Sequence, residues 1–253
     1  MFHLSRWLRL SEAFTRLNRP VVVVDLESTG GNLYQDRVTE IAFLRFENGR
    51  VEHYEQLINP GKPIPEFVVQ LTGITNEMVA QAPAFDQIAP DILPLLRGSL
   101  IVAHNSRFDY TFLRHEFCRA GIDFAAPALC TVQLSRRLYP QFYKHNLDSI
   151  ISRMGIQTDA RHRALADVLA LADYLEHSLK EKTSDEWDNH CRALMNPKML
   201  PTQLSDSLTA KLYSLPDTVG VLVWFDHSGK VLSVEAYEKT YSEIAALLHS
   251  KEG

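Results

Sequence analysis

The chain has 253 residues, of which 45% are hydrophobic and 23% charged, and its formal net charge is −5. This composition is typical of a globular protein with room for one large domain and an appendage. The sequence has no apolar run near the roughly 20 residues of a membrane span, which argues against a membrane protein. Three cysteines without metal-ligand spacing indicate a reduced, cytoplasmic protein.

The charge is distributed unevenly along the chain. Residues 1–180 carry 19 basic and 20 acidic side chains, net −1, and residues 181–253 carry 7 and 11, net −4. Neither part predicts a broad surface for duplex nucleic acid, which needs excess positive charge. These charges remain compatible with a local groove that binds a short single strand, because base stacking contributes to such binding. Candidate phosphate contacts, or simply solvated charges, are Arg107, Lys144, Arg161 and Arg163.

The first 18 residues place apolar side chains at helical spacing among arginines. Residues 1–18 therefore predict an amphipathic helix packed on the body of the protein. A targeting helix is the alternative, although the apolar stretches are too short for the core of a signal peptide.

Strands and helices alternate through residues 19–180 and predict one α/β domain with a mixed sheet flanked by helices. Two of the strands form a hairpin across Asn48-Gly49, which is a strong turn signal. The predicted strands are 21–26, 38–46, 51–58, 99–103 and 128–131. The predicted helices are 66–71, 75–80, 85–97, 107–120, 131–138, 146–153 and 163–180.

Two acids end the first strand. Four consecutive valines, 21–24, predict a strand buried on both faces, and Asp25 and Glu27 then point to the same side of it. Acids at the C-terminal end of a central strand lie where open α/β sheets bind ligands. The alternative is a pair of solvated acids leaving a strand.

A second segment, 104–109, follows the strand at 99–103 and contributes Asp109. Asn105 or Ser106 is predicted to cap the helix that begins there. Asp109 is then either a third functional carboxylate or only a residue favoured by the start of a helix.

A third segment, 162–167, adds His162 and Asp167. On one continuous helix these residues would lie about 140° apart, so they converge only if His162 precedes the helix. The alternative is a loop histidine followed by a solvated acid. Four carboxylates and one imidazole in this order suit a site that holds two divalent metal ions and hydrolyses a phosphodiester.

Taken together, segments 25–30, 104–109 and 162–167 resemble the motifs of the DEDDh 3′–5′ exonucleases. This family includes the proofreading ε subunit of bacterial DNA polymerase III. The likeness extends from about Arg19 to about Leu179, and His162 rather than a tyrosine selects the histidine branch. The resemblance implies a ribonuclease H-like exonuclease fold. It implies five catalytic residues: Asp25, Glu27, Asp109, His162 and Asp167.

The same resemblance implies roles for these residues. Asp25 would bridge two Mg²⁺ or Mn²⁺ ions, with Glu27 and Asp167 completing the first site, Asp109 supporting the second and His162 acting as general base. Substrate contacts would come from Ser28, Thr29, Gly30, His104, Asn105 and Phe108. The reaction would release nucleoside 5′-monophosphates from 3′ ends of single-stranded DNA during proofreading or repair. A polymerase or repair protein would be the partner, in the bacterial cytoplasm.

Two other functions remain open at this point. An exonuclease of the same family that trims RNA would share all the motifs, and only discrimination of the 2′-hydroxyl would separate the two substrates. A catalytically silent nucleic-acid-binding adaptor subunit is the other alternative, and the complete set of acids with His162 argues against it.

The C-terminal part is predicted separately. Residues 181–199 are polar and predict a linker or an extension of the last helix. Residues 200–253 predict a small appendage with a hairpin across 221–234 and a helix near 240–250. This appendage weakly resembles the opening of a GIY-YIG nuclease domain, but Leu222 and Ser233 replace the two family tyrosines. It is therefore expected to be a degenerate remnant without cleavage activity, or an unrelated appendage.

Overall fold

The computed structural model describes residues 4–158, 160–195, 218–240 and 243–244. The chain forms two compact units, Met1–Met199 and Leu200–Gly253. Each unit is described by itself.

A five-stranded sheet forms the centre of the first unit, in the order β3-β2-β1-β4-β5. β1 pairs antiparallel with β2 and parallel with β4, so the predicted mixed sheet is confirmed. Asn48 and Gly49 both have positive φ in the β2–β3 turn, as the hairpin signal requires. The strands are β1 Val21–Ser28, β2 Val38–Glu47, β3 Arg50–Leu57, β4 Leu100–Ala103 and β5 Ala128–Cys130.

Helices cover both faces of this sheet, and a 3₁₀ turn at Leu4–Trp7 precedes the first of them. They are α1 Leu8–Thr15, α2 Glu66–Thr72, α3 Asn76–Val79, α4 Phe85–Leu96, α5 Ser106–Arg119, α6 Thr131–Leu138, α7 Leu147–Met154, α8 Ala164–Glu181 and α9 Ser184–Leu194.

The alternation of β1 separates two hydrophobic cores. Val21 and Val23 belong to the core shared with α1 and α8, whereas Val22 and Val24 belong to the core shared with α4 and α5. Because the period of a strand is two residues, whatever follows Val23 at odd positions faces α8. This rule decides where the acids of β1 point.

The segment predicted as a linker, 181–199, contains helix α9. Trp187 and Cys191 lie one turn apart on it, are fully buried and join the core beside α8. The Trp187 indole donates to Ser178 Oγ at 2.9 Å. The linker interpretation is wrong for 184–194, because two buried side chains fix a helix whose other residues are mostly polar.

The second unit contains a two-stranded antiparallel hairpin of β6 Gly220–Phe225 and β7 Val231–Tyr237. The Asp226 carboxylate closes its turn by accepting the backbone N–H groups of Ser228 and Lys230 at 2.8 and 3.0 Å. Most of the helix predicted near 240–250 lies outside the described residues. None of the helices in the described part of the chain has the length and apolar character needed to cross a membrane.

Candidate active site

The C-terminal end of β1 presents two acids on one face of the sheet. Asp25 and Glu27 continue the face of Val23, the side on which α8 packs. The parallel pairing of β1 with β4 extends only to Val23, so the two strands separate where the acids begin. Such a crevice beside a central strand is the usual ligand site of an open α/β sheet.

Helix α8 adds a third acid to this crevice. Asp167 lies in the first turn of α8, where its backbone N–H donates to the Arg163 carbonyl at 3.1 Å. Ligand oxygens of Asp25, Glu27 and Asp167 all lie within 4.8 Å of one another. We call these three residues the acid trio. It offers only oxygen donors, which hard divalent cations such as Mg²⁺ and Mn²⁺ prefer.

Asp109 approaches from the other side of the sheet. It is buried in the first turn of α5, and its carboxylate is bonded to the backbone of Leu26 in β1. Within the described residues, the group of ligand atoms within 4.8 Å does not include Asp109. Its charge nevertheless raises the pKa of Asp25, so the carboxylates of both residues act in one electrostatic cluster.

Burial and mutual repulsion raise the pKa values of this cluster. Burial raises the pKa of Asp25 well above its usual value, and the charges of Asp109 and Glu27 raise it further. Burial likewise raises the pKa of Asp109. The pKa of Glu27 rises to about 7, first through burial and then through the charge of Glu40. A bound cation would reverse these shifts, because it stabilises the ionised carboxylates.

One guanidinium already lies against the acid trio. Arg161 contacts the Asp167 carboxylate through Nη1 and donates from Nε to Asp148 at 2.7 Å. Its charge lowers the pKa of Asp25 and of Glu27. Positive charge is therefore favoured at this point of the crevice, which fits a cation site. The same contacts show that Arg161, a candidate phosphate contact from the sequence, is engaged with carboxylates of its own chain.

His162 lies two residues before α8 begins, with φ of 57° and a half-buried side chain. This is the placement that the angular argument requires for His162 and Asp167 to converge. The left-handed conformation turns the chain sharply into the helix. Such a conformation is uncommon for a residue other than glycine, although histidine adopts it more readily than most.

The predicted substrate residues after β1 form a tight turn around Asp36. Thr29 Oγ1 donates to Asp36 Oδ1 at 2.8 Å, and Ser28 Oγ donates to the Gly30 carbonyl at 2.6 Å. A Cβ on Gly30 would come within 2.4 Å of Asp36 Oδ2. The side chains of Ser28 and Thr29 thus stabilise the turn, and the absence of a side chain at Gly30 lets the carboxylate approach.

The predicted substrate residues after β4 have separate environments. Thr131 Oγ1 donates to the Ala103 carbonyl at 3.2 Å, so it accepts from Nδ1 of His104 at 2.9 Å. Burial lowers the pKa of His104 to about 4, which keeps the ring neutral. Phe108 packs against Phe112 with ring centroids 4.7 Å apart and ring planes tilted by 54°. Asn105 is exposed in a left-handed conformation without a side-chain bond to the helix, contrary to its predicted capping role.

Glu40 is a residue of this site that the sequence analysis missed. It lies on β2 directly opposite Glu27, is fully buried, and binds the Arg163 guanidinium. The signal was present as an acid directly before the apolar run 41–44 of β2, because a buried charge is too costly to occur without a function or a partner.

The central sheet with its clustered acids defines a ribonuclease H-like nuclease. The chain belongs to the RNase T exonuclease family, whose model matches residues 22–175. It is 34% identical over 167 residues to DNA polymerase III subunit epsilon of Aquifex aeolicus, covering 65% of this chain and 83% of that protein. It is 38% identical over 149 residues to the 3′-5′ exonuclease DinG of Bacillus subtilis, covering 58% of this chain and 16% of that protein.

Other relatives are much longer than this chain. A PolC-type DNA polymerase III of Clostridium perfringens is 33% identical over 180 residues, and the match spans 71% of this chain but 12% of that protein. The chain therefore spans 12–16% of the length of PolC and DinG.

Solved structures share the fold at low sequence identity. Exonuclease X in complex with 5′ overhanging duplex DNA has a TM-score of 0.51 and 24% identity, covering 68% of this chain and 99% of that one. Escherichia coli exonuclease I in complex with a dA16 oligonucleotide has a TM-score of 0.60 and 20% identity, covering 68% and 42%. At this identity the likeness establishes the ribonuclease H-like exonuclease fold.

Proposed function

We propose that this protein is a metal-dependent 3′–5′ exonuclease that releases nucleoside 5′-monophosphates from the 3′ ends of single-stranded DNA. The observation that carries the proposal is the acid trio, whose ligand oxygens lie within 4.8 Å of one another beside buried Asp109. Membership of an exonuclease family supports the reaction class, and the relatives named DNA polymerase III subunit epsilon and DinG support DNA as substrate.

The four carboxylates would hold two Mg²⁺ or Mn²⁺ ions. Bound divalent ions would supply Lewis-acid stabilisation of the charge that develops on the phosphate and on the leaving 3′ oxygen. Asp25, Glu27 and Asp167 would hold these ions in the crevice, and Asp109 would add its charge from α5. The raised pKa values of Asp25 and Asp109 fit this assignment. A cation stabilises an ionised carboxylate most where burial and repulsion disfavour that ionised form most.

His162 is proposed to be the general base. A nitrogen of its imidazole takes the proton of the attacking water as the new phosphorus–oxygen bond forms, and the bond to the 3′ oxygen breaks. Imidazole suits this task because its ordinary pKa is close to neutral pH.

Substrate contacts are proposed on both sides of the crevice. The backbone of Ser28, Thr29 and Gly30 would approach the terminal nucleotide, since their side chains are committed to the turn around Asp36. His104, Asn105 and Phe108 would contact the strand from the β4 side. Because Nδ1 of the neutral His104 ring donates to Thr131, its Nε2 can accept a hydrogen bond without adding charge.

The proposed setting is proofreading or repair, next to a polymerase or a repair protein. This proposal is supported by the DNA polymerase III names of two relatives. An RNA-trimming exonuclease is the competing function, and the substrate assay decides between them.

The test is digestion of matched DNA and RNA oligonucleotides, labelled at the 5′ end, with Mg²⁺, Mn²⁺ or EDTA. The expected result is a ladder of DNA products shortened from the 3′ end in the presence of metal, with none in EDTA. Asp25→Ala protein is the control for contaminating nuclease. Release of the labelled 5′ nucleotide first, or undiminished digestion in EDTA, would refute the proposal. Preference for RNA would show that RNA, and not DNA, is the substrate.

A further inference from the structure

The backbone around His162 is held by arginines on both of its sides. Arg161 binds Asp148 and Asp167, as described above, so the residue before His162 is fixed to α7 and α8. The residue after it, Arg163, extends to β2. His162 itself adopts φ of 57°, a conformation that persists only where the surroundings hold it.

Glu40 is the anchor on β2. Its carboxylate accepts from Nη2 of Arg163 at 2.6 Å and from Nε at 3.2 Å. It also accepts the backbone N–H of Ala164 at 2.8 Å. That N–H is one of the groups that the start of a helix leaves without an intrahelical partner. One buried carboxylate therefore fixes both the guanidinium of Arg163 and the first residue of α8.

We propose that Glu40 is a positioning residue that acts through Arg163 to place His162 for catalysis. Glu40 is a fully buried residue of β2, so its carboxylate has no access to substrate. Its bidentate pair with Arg163 fixes the direction in which residues 161–163 enter α8. The catalytic part of this inference rests on the proposed exonuclease function, whereas the structural part does not.

Glu40 also faces Glu27, and this allows a second explanation of the role of Glu40. A negative charge beside a metal ligand can tune metal affinity, and loss of such a supporting group typically costs about 10–100-fold in affinity. A role in placing His162 predicts a different result, because the four carboxylates remain in position. The two explanations are separated by measuring metal binding and turnover on the same variants.

The main experiment compares Glu40→Gln with Glu176→Gln. Glu176 is a matched control, because it is buried and its carboxylate accepts the backbone N–H of Leu10 in α1 at 2.8 Å, outside the acid cluster. Glu40→Gln should lower kcat about 10–100-fold, as expected for a misplaced catalytic group, with KM and Mn²⁺ affinity each changed less than about threefold. Glu176→Gln should leave kcat unchanged.

A double variant tests whether the effect passes through His162. In the His162→Ala background, Glu40→Gln should cause no further loss, since the group that it places is gone. A full additional loss in the double variant, or a tenfold fall in Mn²⁺ affinity of Glu40→Gln, would overturn the inference. Should Glu40→Gln fail to fold, Arg163→Lys keeps the charge but not the bidentate geometry and must give the same pattern.

Amide hydrogen exchange without metal provides a readout that is independent of activity. Exchange in Glu40→Gln should accelerate at residues 163–166 and remain unchanged in the rest of α8, whereas Glu176→Gln should accelerate exchange in α1. Uniform acceleration throughout the domain would show a general stability role and overturn the inference. If the wild-type protein cuts no nucleic acid, the proposed function fails, but this measurement still decides whether Glu40 orders the start of α8.

Discussion

Asp25 interacts electrostatically with other carboxylates of the site. Its pKa is raised by burial, by Asp109 and by Glu27, and it belongs to the acid trio. Asp25→Ala should therefore abolish Mn²⁺ binding and exonuclease activity together. Titration calorimetry and the 5′-labelled DNA assay on the same preparation test this expectation. Wild-type Mn²⁺ affinity in an inactive Asp25→Ala protein would remove Asp25 from the ligand set.

His162 should behave in the opposite way. His162→Ala should retain metal and DNA binding while losing about 10²–10⁴-fold in rate, the usual contribution of a general base. Lost metal binding in a folded His162→Ala protein would show that the imidazole is a ligand instead. The comparison with Asp25→Ala separates proton transfer from metal binding within one motif set.

Glu27 provides a prediction for stability against pH. Its pKa rises from 4.5 in the unfolded chain to about 7, so the folded protein binds more protons between these values. Stability of the metal-free protein should therefore fall as pH rises through about 4.5–7, by up to a few kcal/mol, and the contribution is fully present only below about 4.5. Divalent metal should stabilise the protein more at about pH 8 than at about pH 5.5, because it binds the ionised carboxylates.

Thermal unfolding in EDTA and in Mn²⁺ across this range measures both effects. Glu27→Gln is the matched control, since it removes the titrating group while keeping its size. The fall in Tm of the metal-free protein with rising pH should be smaller in Glu27→Gln. Equal falls in the two proteins would assign the effect to other groups.

At the scale of elements, the features that could be predicted best were those set by the residue pattern within one strand or helix. The four valines of β1 predicted a strand buried on both faces, and the alternation fixed the direction of Asp25 and Glu27. The angular argument for the third segment placed His162 before α8, where the structure has it. These features depend on local periodicity, which a sequence displays directly.

Features that depend on contacts distant in sequence were missed. Glu40 and Arg163 are 123 residues apart, and their pairing follows only from the way α8 packs over β1 and β2. The mostly polar sequence of α9 predicted a linker or an extension of α8, because Trp187 and Cys191 are its only fully buried side chains. Asn105 or Ser106 was expected to cap α5; Asn105 is at the N-cap position in a left-handed conformation and makes no side-chain cap bond.

The turn after β1 offers a test with two adjacent glycines. A methyl group on Gly30 would meet Asp36 Oδ2, which accepts the backbone N–H of Asn32 at 2.9 Å, so Gly30→Ala must displace this bond. Gly31→Ala has nothing within 4 Å of the added carbon and should be tolerated. Gly30→Ala should cost about 1–3 kcal/mol, the usual range for overpacking, and lower activity.

Denaturant unfolding and the DNA assay on both glycine variants measure this difference. The turn carries Ser28 and Thr29, so its displacement should raise KM more than Gly31→Ala does. Identical stabilities of the two variants would show that Asp36 moves aside without cost.

At the scale of the whole molecule, the chain divides after Met199, beyond the exonuclease family match at 22–175. In the second unit, Leu222 and Ser233 occupy the two positions at which the sequence resemblance to a GIY-YIG domain expects tyrosines. We therefore propose that residues 200–253 do not cut nucleic acid and serve in packing or in contact with a protein partner.

The contacts of α9 with the rest of the first unit determine where the chain can be shortened. A protein ending at Leu179 would lose buried Trp187 and the pair of Arg16 with Asp188 at 2.6 Å, and removal of a buried aromatic side chain alone costs about 3–5 kcal/mol. A protein ending at Met195 keeps these contacts. The shorter one should unfold at lower temperature, whereas the longer one should retain 3′–5′ exonuclease activity at the rate of the full chain.

Plasmid nicking decides whether the C-terminal unit is a second nuclease. Leu222 and Ser233 replace the tyrosines that the GIY-YIG resemblance expects, and residues 200–253 carry 4 basic and 7 acidic side chains, a net negative charge that opposes phosphate binding. The full chain should therefore not nick supercoiled plasmid. The Asp25→Ala protein isolates any activity of this unit by silencing the acid trio, and the protein ending at Met195 removes the unit. Nicking that persists in Asp25→Ala and disappears in the shortened protein would contradict the prediction, because only a second active site in residues 200–253 could produce that pair of results.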